Sequence, residues 1–412
     1  MRDKIKYYLG LGFIGFLVLA ALVSDHFKIW PFSENLNSQP TYLINPSGSS
    51  PENQVANSQS DEPGIVEARQ INYQIEPVVS GLNVPWSIVF TSPTRMLVSE
   101  RPGQVRVVEN DKLLPNPLHI FADAESEGEA GLMGMAADPN YSSNQFIYAC
   151  YAYQNTGQMK TRVVRLRDTG TALVEQKVLL ENIPAARNHA GCELGFGPDG
   201  KLYVSTGDAS TRDIAQDRSS LGGKILRINP DGTIPADNPF TGSPIWTLGH
   251  RNSQGFDWHP GTQVLYATEH GPSGFDGQGG GDEVNIIEKG NNYGWPLVSH
   301  QQTRQGLIDP KLVFTPAIAP GSAVFYDSQV IPEFTNNLFF GLLRGQGIMR
   351  VVVDAANPWR IAMYEKLPGI DVGRVREMVV GPDGQLYFTT SNRDGRAPVR
   401  DGDDHIFRLV PR

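Results

Sequence analysis

From about residue 71 to the C-terminus, apolar and polar residues alternate in short runs, as in Gln104-Val105-Arg106-Val107-Val108 and Thr161-Arg162-Val163-Val164-Arg165-Leu166. Neighbouring side chains of a strand point to opposite faces, so this two-residue period predicts β-strands. No long stretch carries the period of an amphipathic helix. The strands come in pairs. Leu194-Gly195-Phe196 leads into Gly197-Pro198-Asp199-Gly200, whose proline and glycine suit a tight turn, and then into Leu202-Tyr203-Val204-Ser205.

The same pattern recurs along the chain. Pro93, Pro139, Pro198, Pro260, Pro332 and Pro382 mark equivalent turns 46 to 72 residues apart, giving six repeats. Strand pairs repeated at such a period predict an all-β chain folded as a six-bladed β-propeller of four-stranded sheets. A large sandwich also has regular turns, but it does not need the same turn in the same place six times. In a propeller the inner strands start at one end of the central channel. Trp86, Glu129, His189, Arg251 with Asn252, Ser322, and Arg374 with Arg376 head the repeats, so they are expected to converge there. The last strand, His405 to Val410, is expected to complete a blade with the N-terminal portion and so remove a free edge.

The first 70 residues read differently. Arg2, Lys4 and Lys6 precede an uncharged run from Tyr7 to Val23. Residues 1–30 are therefore expected to be a signal peptide or a membrane anchor, with the rest exported to the periplasm or the cell exterior. Residues 31–70 are rich in Ser, Asn, Gln, Pro and Glu and read as a flexible linker. That leaves 71–412 as one propeller domain. A formal charge of −9 argues against nucleic acid as a partner. The two cysteines, Cys150 and Cys192, lie in apolar strands of neighbouring blades, and both a disulfide and two buried thiols are compatible with that.

Candidate chemistry gathers at the repeat heads. The imidazole of His189 can take a proton from a hydroxyl held within reach. Arg374 and Arg376 alternate along one strand and can reach one site together; with Arg251 they make three guanidiniums in an acidic protein, which suits a ligand bearing carboxylates. Glu269-His270-Gly271-Pro272 and Asp282-Glu283-Val284-Asn285, joined by a glycine-rich insertion, have the oxygen donors of a calcium site. The insertion itself reads as a loop without a phosphate-binding pattern.

Seven separated motifs then add a resemblance. They are Gly128-Glu129-Ala130-Gly131-Leu132-Met133-Gly134, Asn188-His189-Ala190-Gly191, Leu221-Gly222-Gly223-Lys224 running on to Gly232, Gly249-His250-Arg251-Asn252-Ser253-Gln254-Gly255, Glu269-His270-Gly271-Pro272, Asp282-Glu283-Val284-Asn285 and Asn292-Tyr293-Gly294-Trp295-Pro296. In this order the chain resembles the soluble quinoprotein glucose dehydrogenase and aldose sugar dehydrogenase family, six-bladed propellers that use pyrroloquinoline quinone (PQQ) and calcium. The resemblance implies that His189 is the general base and that Arg251 polarises the reacting quinone. It implies that Glu129, Asn252, Arg344, Arg374 and Arg376 bind cofactor. It assigns the Gly271 and Pro272 carbonyls to a calcium under the quinone, and Glu283 with the Tyr293 carbonyl to a structural calcium. Three departures stand out. Asn188 takes the place of an aspartate expected to orient the histidine, Arg344 that of a lysine, and Val313 to Ala317 lacks the aromatic residues expected over the site.

The function expected is oxidation of aldose sugars at C1 to the lactone, with electrons passed to an external acceptor. A calcium-dependent lactonase-like hydrolase would also want histidine and carboxylates, but not three arginines. A non-catalytic sugar-binding propeller is the other alternative.

Overall fold

The computed structural model describes residues 71–412 together with the backbone of a two-residue strand, Leu43–Ile44. The expected leader and the rest of the linker lie outside the described residues. Leu43–Ile44 pairs antiparallel with Leu312 and Val313 at the outer edge of one sheet.

Six antiparallel sheets follow one another around a ring, as the turn prolines predict. Their inner strands are Pro85–Ser92, Leu132–Ala137, Leu194–Phe196, Ser253–Trp258, Pro320–Phe325 and Val375–Val380, opening blades 1 to 6. Blade 6 is completed by the first strand of the domain, since Tyr73–Val79 pairs with Ile406–Pro411 from Tyr73 opposite Pro411 to Val79 opposite Ile406. The two chain ends therefore close the ring, and the edge that either strand would expose alone is paired. The sole α-helix among the described residues is the four-residue Tyr141–Asn144.

One position explains how neighbouring blades hold together. The second strands read Met96-Leu97-Val98-Ser99, Ile147-Tyr148-Ala149-Cys150, Leu202-Tyr203-Val204-Ser205, Leu265-Tyr266-Ala267-Thr268, Leu338-Phe339-Phe340-Gly341 and Leu386-Tyr387-Phe388-Thr389. The first three residues pack between sheets, and the fourth meets the next blade. Ser99 Oγ accepts from the Ser87 amide of its own blade (3.0 Å) and donates to the Met133 carbonyl of the next (2.7 Å). Ser205 repeats this between the Glu193 amide (3.0 Å) and the Ser253 carbonyl (2.8 Å). Thr268 donates to the Gly321 carbonyl (3.0 Å), and Thr389 accepts from the Glu377 amide (3.2 Å) while facing the Pro85 carbonyl.

The other two blades use different chemistry at that place. Cys150 is disulfide-bonded to Cys192 at the entrance to blade 3, with Cα atoms 6.3 Å apart, which settles the pairing the sequence leaves open. Gly341 lets the backbones touch: a Cβ there would lie 2.5 Å from the Val375 carbonyl. Each buried hydroxyl bond contributes about 1 kcal/mol net, and an orphaned partner costs more than that.

Glu193 and Glu377 occupy the matching inner-strand positions of blades 3 and 6, which stand across the ring from each other. Both are buried, and each keeps one oxygen without a hydrogen-bond partner. Burial pushes the Glu193 carboxyl up to about 8, against an opposing pull from Arg376; burial and then repulsion by Glu193 drive Glu377 well above the usual range. A carboxyl raised on folding stabilises fully below its unfolded value and loses that contribution as pH rises through its folded value. The thermal midpoint should therefore fall between pH 4.5 and about 8, and Glu193→Gln should flatten this slope and raise Tm at pH 8.5 by roughly 2–4 °C. A variant with the wild-type slope would show that the pair is not the cause.

Candidate active site

Inner strands begin, and second strands end, at the same mouth of the ring, so residues from both gather there. His189 precedes the inner strand of blade 3 with a left-handed backbone, φ 60°. Its amide donates to Glu129 Oε2 (3.0 Å), and Gly207 passes so close that a Cβ would lie 2.0 Å from the His189 carbonyl. The imidazole Nδ1 lies 2.7 Å from Asp208 Oδ1. A carboxylate there accepts the Nδ1 proton, which leaves Nε2 with a free lone pair. Asp208 is held in turn by the Trp295 indole N–H (2.8 Å) and the Ser210 amide (2.8 Å).

This corrects the reading of Asn188. The orienting carboxylate is not lost at that position, because Asp208, at the end of the paired strand, supplies it. The Asn188 side chain instead accepts from Arg396 (3.4 Å).

Five arginines surround the same mouth. Arg374 is paired with Asp394 (2.6 Å) and donates to the Leu343 carbonyl (2.7 Å). Arg376 lies over the Trp86 ring at 3.9 Å, donates to Gln254 Oε1 (3.2 Å) and reaches the same Asp394 at 4.0 Å. Burial pulls Arg376 down to about 9. Arg251 is paired with Asp276 (2.7 Å) and donates to the His270 carbonyl (3.1 Å). Arg396 approaches Glu129 at 3.3 Å, and Arg101 donates to the Gly128 carbonyl while its buried Nε has no hydrogen-bond partner. The carboxylates paired directly with these five are Glu129, Asp276 and Asp394, and Asp404 also acts on Arg101. Arg344, expected at the cofactor, is exposed on the turn after Leu343.

Glu129 ties the two groups together. It accepts from the His189 amide, Asn252 Nδ2 (3.2 Å), Gln254 Nε2 (3.4 Å) and Arg396. Burial alone would raise its carboxyl, but His270, Arg396 and His189 outweigh that and hold it down at about 2. It is the fixed negative centre of the site.

A cavity of about 10 Å³ lies behind Arg251, and Gly271, Pro272, Glu283 and Tyr293 line it together with Glu269. The residues expected to serve two calcium sites therefore meet around one space. Glu269 and Glu283 stand directly opposite in the strand register. Burial first, then repulsion by Glu269, pushes Glu283 well above the usual carboxylate range. Asp282 is spent elsewhere, accepting from the Gly271, Ile318 and Ala319 amides. Among the described residues no three His, Cys, Asp or Glu side chains form a ready metal cluster. Glu269 is likewise engaged, by His250 Nδ1 (2.8 Å) and the Arg251 amide, so Glu283 and the lining carbonyls are the hard-oxygen donors left for a single calcium-like ion.

Comparison with known proteins identifies the family. The family model described as glucose/sorbosone dehydrogenase matches residues 82–400. The chain belongs to that family. Over 345 residues it is 30% identical to the aldose sugar dehydrogenase of Escherichia coli, covering 78% of this chain and 91% of that one. Among solved structures it superposes at a TM-score of 0.76 on a Thermus thermophilus protein described as an oxidoreductase (glucose dehydrogenase), 41% identical, covering 82% of this chain and 100% of the other. It superposes at 0.72 on the PQQ-bound aldose sugar dehydrogenase of Streptomyces coelicolor, 30% identical, covering 83% and 99%.

For this glucose/sorbosone dehydrogenase family member, sequence reasoning placed Glu129, His189, Arg251, Asn252, Arg374 and Arg376 together, and they are together. It missed Asp208, Asp394, Arg396 and Arg101. All four follow a second strand, as Gly207-Asp208 and Ser391-Asn392-Arg393-Asp394 show, so the far end of each hairpin carried the unused signal.

If the cavity takes a cation, the ion should relieve the Glu269–Glu283 repulsion. Millimolar calcium should raise Tm of the protein without quinone, and Glu283→Gln should abolish that rise without lowering the metal-free Tm. A calcium response that survives in Glu283→Gln would place the ion elsewhere.

Proposed function

We propose that the protein is a quinone-dependent aldose dehydrogenase that oxidises the C1 hydroxyl of a cyclic sugar to the lactone and passes the electrons to an external acceptor. The observation that carries this reading is the His189–Asp208–Trp295 chain set beside a wall of five arginines. PQQ is a tricarboxylate. The gathered guanidiniums suit such an anion, and Arg251, Asn252, Arg374 and Arg376 are the residues that would hold it. Bound there with calcium as a Lewis acid, it would supply a two-electron acceptor for hydride.

The chain's own part is the proton. Asp208 keeps the Nδ1 proton in place, so Nε2 faces substrate as the base and takes the proton of the C1 hydroxyl as the C1 hydrogen departs with its electron pair. The carbonyl of the lactone forms from the C–O bond left behind. Asp208 then stabilises the imidazolium that results. Arg251 holds positive charge where negative charge develops, which is worth a few kcal/mol in a site closed to water.

Export completes the proposal. The basic residues and apolar run of the first 30 residues support it, and so does the Cys150–Cys192 disulfide, which suits an oxidising compartment.

With quinone and calcium supplied, His189→Ala should lose about 10²–10⁴-fold in turnover while binding quinone normally, and Asp208→Asn should lose activity on a similar scale. Asn188→Asp should change turnover little, since the histidine already has its carboxylate. Dye-reduction kinetics on the three variants checks this. Wild-type turnover in cofactor-saturated His189→Ala would remove the histidine from the mechanism.

A further inference from the structure

The glycine-rich insertion reads from sequence as a plain loop, yet it is fastened to the site. Arg251 Nε pairs with Asp276 (2.7 Å), Arg251 Nη2 donates to Ser273 Oγ (3.0 Å), and the Ser273 amide donates to Asp276 Oδ1 (2.9 Å). Arg212 adds a bond to the Asp276 carbonyl (3.0 Å). Gly274, with φ +93°, makes the bend between the two anchors. What this clip presents is Phe275.

Phe275 is 64% exposed, the most exposed large hydrophobic residue among those described. Its ring is stacked on the His189 imidazole, with centroids 5.9 Å apart and planes at 22°. His189 itself is only 3% exposed. Asp208 occupies its Nδ1 side, and the phenyl ring covers one face of the imidazole. Stacked on the base and held there by the clip, this ring is apolar surface that a ligand reaching His189 would meet.

We propose that Phe275 is a substrate-facing wall of the site, meeting the apolar C–H face of the sugar ring as it approaches His189, and so a residue that determines which sugars are accepted. This rests on the dehydrogenase reading for its choice of ligand. A molecule that brings a hydroxyl to Nε2 has this ring at its side. A pyranose suits that contact, because its ring hydrogens give it a flat apolar face while its hydroxyls point outward. The clip also links the wall to Arg251, so Phe275 is positioned by a residue that the cofactor itself would contact.

The test has two arms. In protein without quinone or metal, diethyl pyrocarbonate should label His189 severalfold faster in Phe275→Ala than in wild type, as read by mass spectrometry, and glucose should slow labelling in wild type but not in the variant. In protein saturated with quinone and calcium, Phe275→Ala should raise KM for glucose about 3- to 10-fold with kcat nearly unchanged, and Phe275→Tyr should restore it. Unchanged labelling, no protection by glucose, or a fall in kcat and quinone affinity at constant KM would each overturn the proposal. A wild-type protein that binds quinone but oxidises no aldose would instead sink the dehydrogenase reading, while the labelling arm still judges the wall.

Discussion

The structure depends on one recurring contact, made where Ser99, Cys150, Ser205, Thr268, Gly341 or Thr389 of a second strand meets the inner strand of the next blade. An inner strand has one edge that faces the channel and no neighbour within its sheet, so the spacing between blades must be set by something else. Ser99, Ser205, Thr268 and Thr389 set it with hydroxyls that satisfy an amide of their own blade or reach a carbonyl of the next. Cys150 sets it with a covalent bond and Gly341 by letting the backbones meet. His189, Asn252 and Arg374 lead into those inner strands, and Arg376 stands at the start of one. Fixing the strands therefore fixes the reactive groups to one another.

Electrostatics gives the mouth its character. Asp394 is shared between Arg374 and Arg376, and Asp276 reaches Arg251 from a loop rather than from the core. Glu129 is held charged by cations on several sides. The site thus gathers five guanidiniums at one mouth of a protein whose net charge is negative. Like charges crowded in a buried place cost stability, and an anionic ligand relieves that cost. The Glu269–Glu283 cavity is the same idea with the sign reversed.

The sequence made much of this legible, for physical reasons. Proline and glycine punctuate the six turns, and the two-residue period marks the strands, so blade count and ring closure follow from local signals alone. His189 and the Arg374–Arg376 pair stood out because they head repeats. Asp208 did not, since its role depends on a hairpin bringing residues 19 positions apart into contact, and the neighbouring Asn188 drew attention first. Phe275 was hidden by its glycines, which signal a loop without saying that Asp276 clips it to Arg251. The convergence of both proposed calcium sets on one cavity likewise depends on strand register, which spacing does not give.

The central claim is that one site takes a proton at His189 while hydride leaves the same sugar carbon. Purified protein saturated with PQQ and calcium, given glucose deuterated at C1 and an artificial electron acceptor in excess, measures it most directly. The account predicts a lactone product and slower single-turnover quinone reduction with the deuterated sugar, the isotope effect persisting as pH is varied. Quinone that binds but is not reduced by any aldose, or reduction at the same rate with both isotopes in single turnover, would contradict it.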